Sequence, residues 1–332
     1  MANLLKAKKK SLNASKRNDL LCYILFMVWP VLQFVVFYII VNFNSFRLAF
    51  QSWTLVQPES GLPYYDVDNF TFSTFASLFD KSSIVNLVSQ DALDMIWASV
   101  KSYLVMLCIG VPLGLFFSYY IYKALPGAKM FRVLLFLPSI LSGVVMGRIF
   151  LSFFDAALPS IVYDFAKIFP EKLENAIQAD IPDGYYSTNK YPMIMFYNVF
   201  IGFGTSVLMY SNKMVNSSPE ISEAASLDGA SGITEFWYIT LPQVFPTLSL
   251  FLVTGVIGIF VNQFNLFTFI GWGVNVPANM KTLGFYLYLN AKDAQPMDYP
   301  ALSALGLVLT AVAIPLTFGV KALLDKFGPS ED

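Results

Sequence analysis

Asn262, Gln263 and Asn265 bring three side-chain amides together in a stretch that is otherwise apolar and aromatic, with Phe260, Phe264 and Phe267 around them. An amide donates and accepts hydrogen bonds without carrying charge, and a phenyl ring adds an apolar face. The combination suits a hydroxyl-rich, uncharged molecule such as a sugar. Amides in an apolar helix also tie one helix to another, so each of the three has two readings. Tyr197 and Asn198 make a smaller polar pair in another apolar run. A second chemistry is written in Glu220, Glu223 and Asp228, acids set among Ala224, Ala225, Gly229 and Ala230. Glu220 and Glu223 are three apart and share a helical face, where they suit an arginine on a partner.

Other chemistries lack their residues. The chain has no histidine, which removes the commonest general base and metal ligand. Cys22 and Cys108 sit inside apolar runs with no metal-type spacing, and read as buried small hydrophobes. No phosphate loop of the form G-x-x-x-x-G-K-[ST] is present, so the chain is not expected to hydrolyse ATP. No nucleophile with a base, and no paired carboxylate within an apolar run, marks an enzyme or an ion-coupled transporter.

The elements that hold these residues are set by composition. Of 332 residues, 56% are hydrophobic and only 13% charged, and the mean hydropathy is +0.58. A water-soluble domain carries about 25% charged residues, so the expectation is an all-α, polytopic membrane protein. A basic tail, residues 1–19, precedes a charge-free run at 20–42 that is long enough to cross a bilayer. No small-residue cleavage site follows, so the run reads as a retained helix with its amino end in the cytoplasm. Residues 43–94 lean acidic and read as external. Residues 95–325 form a core with five further spans, whose apolar runs fall at 103–122, 133–154, 191–210, 247–270 and 299–320. A short tail, 326–332, ends the chain. Lys123, Lys129 and Arg132 join the second and third runs without an acid, a cytoplasmic signature. Six spans then leave both termini in the cytoplasm. Arg148, in the third run, either snorkels or faces a pathway. The segment 155–190 is acidic, with amphipathic spacing at 158–177 and a Pro-Asp-Gly turn at Pro182–Gly184.

The island at 217–246 falls between the fourth and fifth runs. It has Lys213 beside it against Glu220, Glu223, Asp228 and Glu235. A cytoplasmic loop with an acidic face points to a protein partner rather than to lipid headgroups. Ser218, Pro219 and Glu220 start a helix, Gly229 ends it, and Ser231 caps a second helix that runs to Leu241, where Pro242 breaks or kinks it. Small residues make the turn slim enough to enter a groove, and Ile221, Leu227, Ile233 and Phe236 offer apolar contacts.

The string Glu223-Ala224-Ala225-Ser226-Leu227-Asp228-Gly229-Ala230, continuing to Ile239-Thr240-Leu241-Pro242 and Pro246, resembles the EAA loop of ABC importer permeases, the inner-membrane components of binding-protein-dependent transport. The stretch 131–150 with Pro138, and Phe264-Asn265-Leu266-Phe267 followed by Thr282-Leu283-Gly284-Phe285-Tyr286, resemble the carbohydrate subfamily related to the maltose and glycerol-phosphate permeases. The resemblance covers roughly residues 20–325. Lys101-Ser102 stands where that subfamily usually has Asn-Thr. Gly271-Trp272-Gly273 matches its turn only in part, and 155–190 matches poorly.

This resemblance implies a type I ABC importer permease fold with a cytoplasmic coupling helix. It also implies a second permease subunit in a heterodimer, two copies of a cytoplasmic ATPase that hold ATP and magnesium, and an extracellular solute-binding lipoprotein. No cofactor on this chain and no nucleic-acid partner are expected. The setting is a bacterial cytoplasmic membrane. Glu220, Glu223, Ala224, Ala225, Asp228 and Gly229 would dock the ATPase; Asn262, Gln263, Phe264, Asn265, Tyr197 and Asn198 would line the path of a sugar or oligosaccharide. A glycerol-phosphate is the alternative cargo, for which Arg148 and Lys101 are the available cations.

Overall fold

The computed structural model describes residues 19–20, 22–58, 62–80, 90–167, 190–216, 219–270 and 276–329. Residues 1–18 of the basic tail, Ser218, residues 168–177 of the amphipathic stretch, the Pro182–Gly184 turn and Gly271-Trp272-Gly273 lie outside them. Six helices are long and apolar enough to cross a membrane: α1 (Cys22–Ala49), α3 (Gln90–Tyr122), α5 (Gly143–Ala166), α6 (Lys190–Val215), α8 (Gly232–Val261) and a sixth span over Pro296–Phe327. Between them lie β1 (Gln51–Val56), β2 (Tyr64–Asn69), α2 (Ser73–Ser77), α4 (Ala128–Ile140), α7 (Pro219–Leu227), α9 (Leu266–Ile270) and α10 (Leu283–Asp293); the regular helix of the sixth span is α11 (Tyr299–Phe327).

The chain divides into two compact units. One comprises residues 1–85 and 294–307. Its α1 has an apolar window with no buried residue, as a helix surrounded by lipid or another subunit requires. A short antiparallel hairpin follows, pairing Gln51 with Asn69 and Val56 with Tyr64. The hairpin was not foreseen within 43–94. Its base is fastened by Gln51 Nε2 donating to Asn69 Oδ1 at 2.6 Å, and by the Thr74 hydroxyl donating to the Gln51 carbonyl at 2.7 Å.

The other unit comprises residues 86–293 and 308–332. Its centre is α6, which packs along α3, α4 and α8. Lipid tails are as apolar as leucine, so helices in a membrane associate through close packing and small residues rather than through expulsion of water. Gly204 of α6 shows this: a Cβ there would collide with the Leu135 carbonyl of α4. Ser118 of α3 donates to the Val207 carbonyl of α6 at 3.1 Å, and Tyr210, Met214, Leu115, Val244 and Leu248 close a core between α3, α6 and α8.

Three apolar runs differ from their sequence readings. The second span starts at Gln90 rather than 103, because its first turns are amphipathic and bury Ala92, Met95, Ala98, Ser99 and Ser102. The third run is not one helix. Leu141 and Ser142 are extended (ψ 150 and 134) and separate α4, which carries Pro138, from α5. The fifth run ends at Val261, and Asn262 leaves the helix with ψ 127. Its start is earlier than expected, since α8 passes through Pro242 without a break. Pro242 stands in the first turn of a regular helical stretch, just after a wide π-helical turn, Phe236–Thr240, which removes the carbonyl clash that proline otherwise causes. Cys22 and Cys108 are both exposed on their helices rather than buried.

Candidate functional site

Two sites emerge within the larger unit. The first is a cleft of about 290 Å³ walled by α3, α6 and α8 and closed at one end by the break after Val261. Tyr103, Met106, Phe203, Tyr210 and Phe251 give it aromatic and thioether walls; Ser206, Thr254 and Asn262 are its polar side chains. No charged residue lines it. A π-helical turn, Met106–Gly110, shapes the α3 wall, the kind of local widening that recurs at functional sites. Tyr103 lies across the cleft floor, its hydroxyl 3.3 Å from the Leu252 carbonyl and its ring 2.6 Å from where a Cβ on Gly255 would stand.

The break itself holds the amides. Asn262, Gln263 and Asn265 do not sit in an apolar helix: they occupy the link between α8 and α9, where Phe264 and Asn265 have φ of 49° and 57°. A left-handed phenylalanine is disfavoured by about 1–2 kcal/mol, so neighbouring groups must hold it. Asn262 Oδ1 accepts from the Phe264 amide at 2.8 Å. Asn198 Nδ2 donates to the Phe264 carbonyl at 2.7 Å. The Thr282 hydroxyl donates to the Asn262 carbonyl at 3.1 Å. Irregular backbone at membrane depth is tolerated where it is buried in protein or lines a cavity, and this break does both.

The predicted pathway residues therefore separate. Asn262 and Phe264 line the cleft. Asn198 and Asn265 bond to each other at 2.7 Å and hold the break. Gln263 is half-buried, with Oε1 enclosed and without a hydrogen bond. Tyr197 is 1% exposed and packs edge-on to Phe269 and Phe150 at 4.7 and 5.1 Å, which makes it core. The walls Tyr103, Ser206, Tyr210, Phe251 and Thr254 were missed. The turn-by-turn spacing of Phe203, Ser206 and Tyr210 in α6 and of Phe251 and Thr254 in α8 was the available signal; Tyr103 stands alone in α3 among Met106, Leu107, Gly110 and Val111. Neither cation is on the cleft wall: the Lys101 ammonium lies over the Trp97 and Tyr191 rings at 6.0 and 5.9 Å, and Arg148 is exposed on α5.

The second site is the hairpin of α7 and the start of α8. The Gly229 amide donates to the Ser226 carbonyl and the Ala230 amide to the Ala225 carbonyl, at 3.2 and 2.9 Å. This pair of bonds is a Schellman cap and requires Gly229 in the left-handed region, where it lies at φ 79. Ser231 caps the next helix by accepting from the Thr234 amide at 3.3 Å. Glu220, Glu223, Ala224 and Asp228 are exposed. Ala225 is not on that face, at 9% exposure. Leu227 and Ile233 stand out from the hairpin at 89% and 74% exposure. Glu235 departs from the predicted acidic face: it is 5% exposed and points inward to Lys123 at 2.5 Å.

Comparison with known proteins bears on the fold that holds both sites. No protein-family model matches the chain. An arabinooligosaccharide transport permease, AraP of Halalkalibacterium halodurans, is 25% identical over 252 residues, covering 74% of each protein. The multiple sugar-binding transport permease MsmF of Streptococcus mutans is 23% identical over 289 residues, 86% of this chain and 88% of the relative. Among solved structures, a bacterial ABC transporter involved in import of the acidic polysaccharide alginate superposes with a TM-score of 0.69. The match covers 95% of this chain and 99% of that one at 17% identity. The fold is that of an ABC importer permease. Within this fold the α7–α8 hairpin carries the Glu223–Pro246 string, and both relatives named above are sugar transport permeases. A bacterial alginate ABC transporter in complex with an alginate pentasaccharide-bound periplasmic protein also superposes with a TM-score of 0.69, at 17% identity.

Proposed function

We propose that this chain is the transmembrane permease subunit of an ABC importer that moves a neutral sugar or oligosaccharide into the cell. The observation that carries the reading is the charge-free cleft, with its tyrosine and phenylalanine walls, set against a broken span in the ABC importer permease fold. Aromatic faces cover the apolar flanks of a sugar ring, and hydroxyls and an amide exchange hydrogen bonds with its rim. A phosphate ester would call for a cation on the wall, and none of the cleft residues is cationic.

In this reading the α7–α8 hairpin faces the cytoplasm and enters a groove on an ATPase subunit. Glu220, Glu223 and Asp228 meet basic side chains there, with Leu227 and Ile233 as apolar anchors. Two ATPases carry ATP and magnesium, a second permease subunit completes the pathway, and an extracellular binding protein delivers the cargo. Closure of the ATPases rocks the helices from inward-facing to outward-facing. Both termini lie in the cytoplasm of a bacterial cell.

Uptake by the reconstituted importer tests the cargo. Proteoliposomes holding the complete complex and its binding protein should take up a neutral oligosaccharide when ATP is supplied. Uptake of uronate oligosaccharides alone, with neutral glycans ignored, would overturn the assignment.

A further inference from the structure

We propose that Lys123, Glu235 and Ser222 form the joint that passes movement of the α7–α8 hairpin to the second span. The proposal rests on the reading of that hairpin as the ATPase-docking element. Lys123 follows directly on α3, Ser222 lies on α7, and Glu235 lies in the first turn of α8. One carboxylate oxygen of Glu235 receives both the Lys123 ammonium at 2.5 Å and the Ser222 hydroxyl at 2.6 Å. Lys123 also donates to the Ser222 hydroxyl at 3.1 Å, so the three side chains close a ring of contacts. Beside it, the Tyr119 hydroxyl of α3 donates to the Gly232 carbonyl at 2.8 Å, and the Tyr119 ring stands edge-on to Phe236 at 5.1 Å.

Both limbs of the hairpin are thus tied to the end of one helix, and that helix runs on to the cleft wall at Tyr103 and Met106. A carboxylate that is 5% exposed is tolerated because charge and hydrogen bonds meet it on that side. Buried ion pairs contribute little net stability beside well-packed apolar residues but do fix relative position. Among the described residues Glu223 and Asp228 make no such tie: both are on the surface of the hairpin, where a partner can meet them. Contact with the partner and transmission into the membrane therefore belong to different residues of the same loop.

The test uses the complete importer in proteoliposomes, with uptake and ATP hydrolysis measured together. Glu235→Gln weakens the joint; the double variant Lys123→Met with Glu235→Met removes both charges and leaves no unpaired ion. Both should keep the ATPase subunits through purification, while substrate moved per ATP hydrolysed falls roughly tenfold, the size of a typical coupling between two sites. If the single variant fails to fold, the double variant carries the test. An unchanged ratio of uptake to hydrolysis in the double variant would overturn the proposal. Failure of ATPase subunits to copurify with the unaltered chain would instead overturn the docking reading on which it rests.

Discussion

Asn265 donates its side-chain amide to the Asn198 side-chain oxygen Oδ1 at 2.7 Å, joining the break after the fifth span to the fourth. Asn198 is 8% exposed and spends its own amide on two carbonyls, Ile194 at 2.8 Å and Phe264 at 2.7 Å. One side chain therefore supports the left-handed backbone at Phe264 and orients its neighbour. Asn198→Leu would leave the Phe264 carbonyl and the Asn265 amide without these partners. Each buried group left unpaired costs about 1–3 kcal/mol, so a clear drop in the thermal midpoint of the detergent-solubilised protein is expected. A midpoint equal to that of the unaltered protein would show that other contacts hold the break.

The start of α10 presses on the same break. A Cβ on Gly284 would run into the Val261 carbonyl and come within 2.6 Å of the Asn262 carbonyl carbon. Backbone cannot step aside as a flexible side chain does, and overpacking of this kind costs typically 1–3 kcal/mol, about the same range as the lost amide. Gly284→Ala should lower the thermal midpoint, whereas Gly306→Ala, with nothing within 4 Å of the added carbon, should leave it level or raise it. Equal behaviour of the two variants would refute the close approach.

Much of this architecture was legible in the sequence because hydropathy reports the length of apolar runs directly. Six spans, the Gly229 turn and the Ser231 cap follow from runs and cap chemistry. Hydropathy does not report where a run stops being helical. Asn262 to Asn265 sit among phenylalanines, and tertiary hydrogen bonds from Asn198 and Thr282 join the local Asn262–Phe264 bond in making a break there stable. The α4–α5 break at Leu141 and Ser142 was hidden for the same reason, since no glycine or proline stands at the extended residues themselves. Glu235 was counted with the surface acids because its partner, Lys123, is 112 residues away in the chain. The cleft walls escaped notice because Tyr103, Tyr210 and Phe251 lie on three separate helices, each of which also has aromatic residues facing elsewhere.

The hairpin gives a prediction that separates docking from folding. Glu223 is exposed, and Leu227 is exposed at 89%, so neither contributes much to the stability of the chain alone. Substitutions at such sites usually change stability by within about 0.5 kcal/mol. Glu223→Arg and Leu227→Asp should therefore leave the thermal midpoint unchanged while the ATPase subunit is lost during copurification. Retention of the ATPase by both variants would remove these residues from the docking face.

The cleft gives the sharpest prediction about cargo. Phe251 presents its ring to the cleft and stands edge-on to Tyr210 at 5.4 Å; Thr254 lies one turn further along α8 and is exposed to the cleft space. Phe251→Ala removes an aromatic wall and should lower uptake of neutral oligosaccharide by roughly tenfold, the effect of losing about 1.4 kcal/mol of contact with the moving ligand. Thr254→Lys introduces a cation where the wall has none. An ammonium near mid-membrane costs about 2.5–3.5 kcal/mol on insertion scales, less where water fills the cleft, so this variant should still assemble. Its neutral-glycan uptake should fall while uptake of an acidic glycan of equal length rises relative to it. The two changes should act on transport and leave ATPase association as it was. If Phe251→Ala and Thr254→Lys both transport the neutral glycan at the unaltered rate, the cargo passes along another face of the helices and the cleft between α3, α6 and α8 is a packing defect of this conformation.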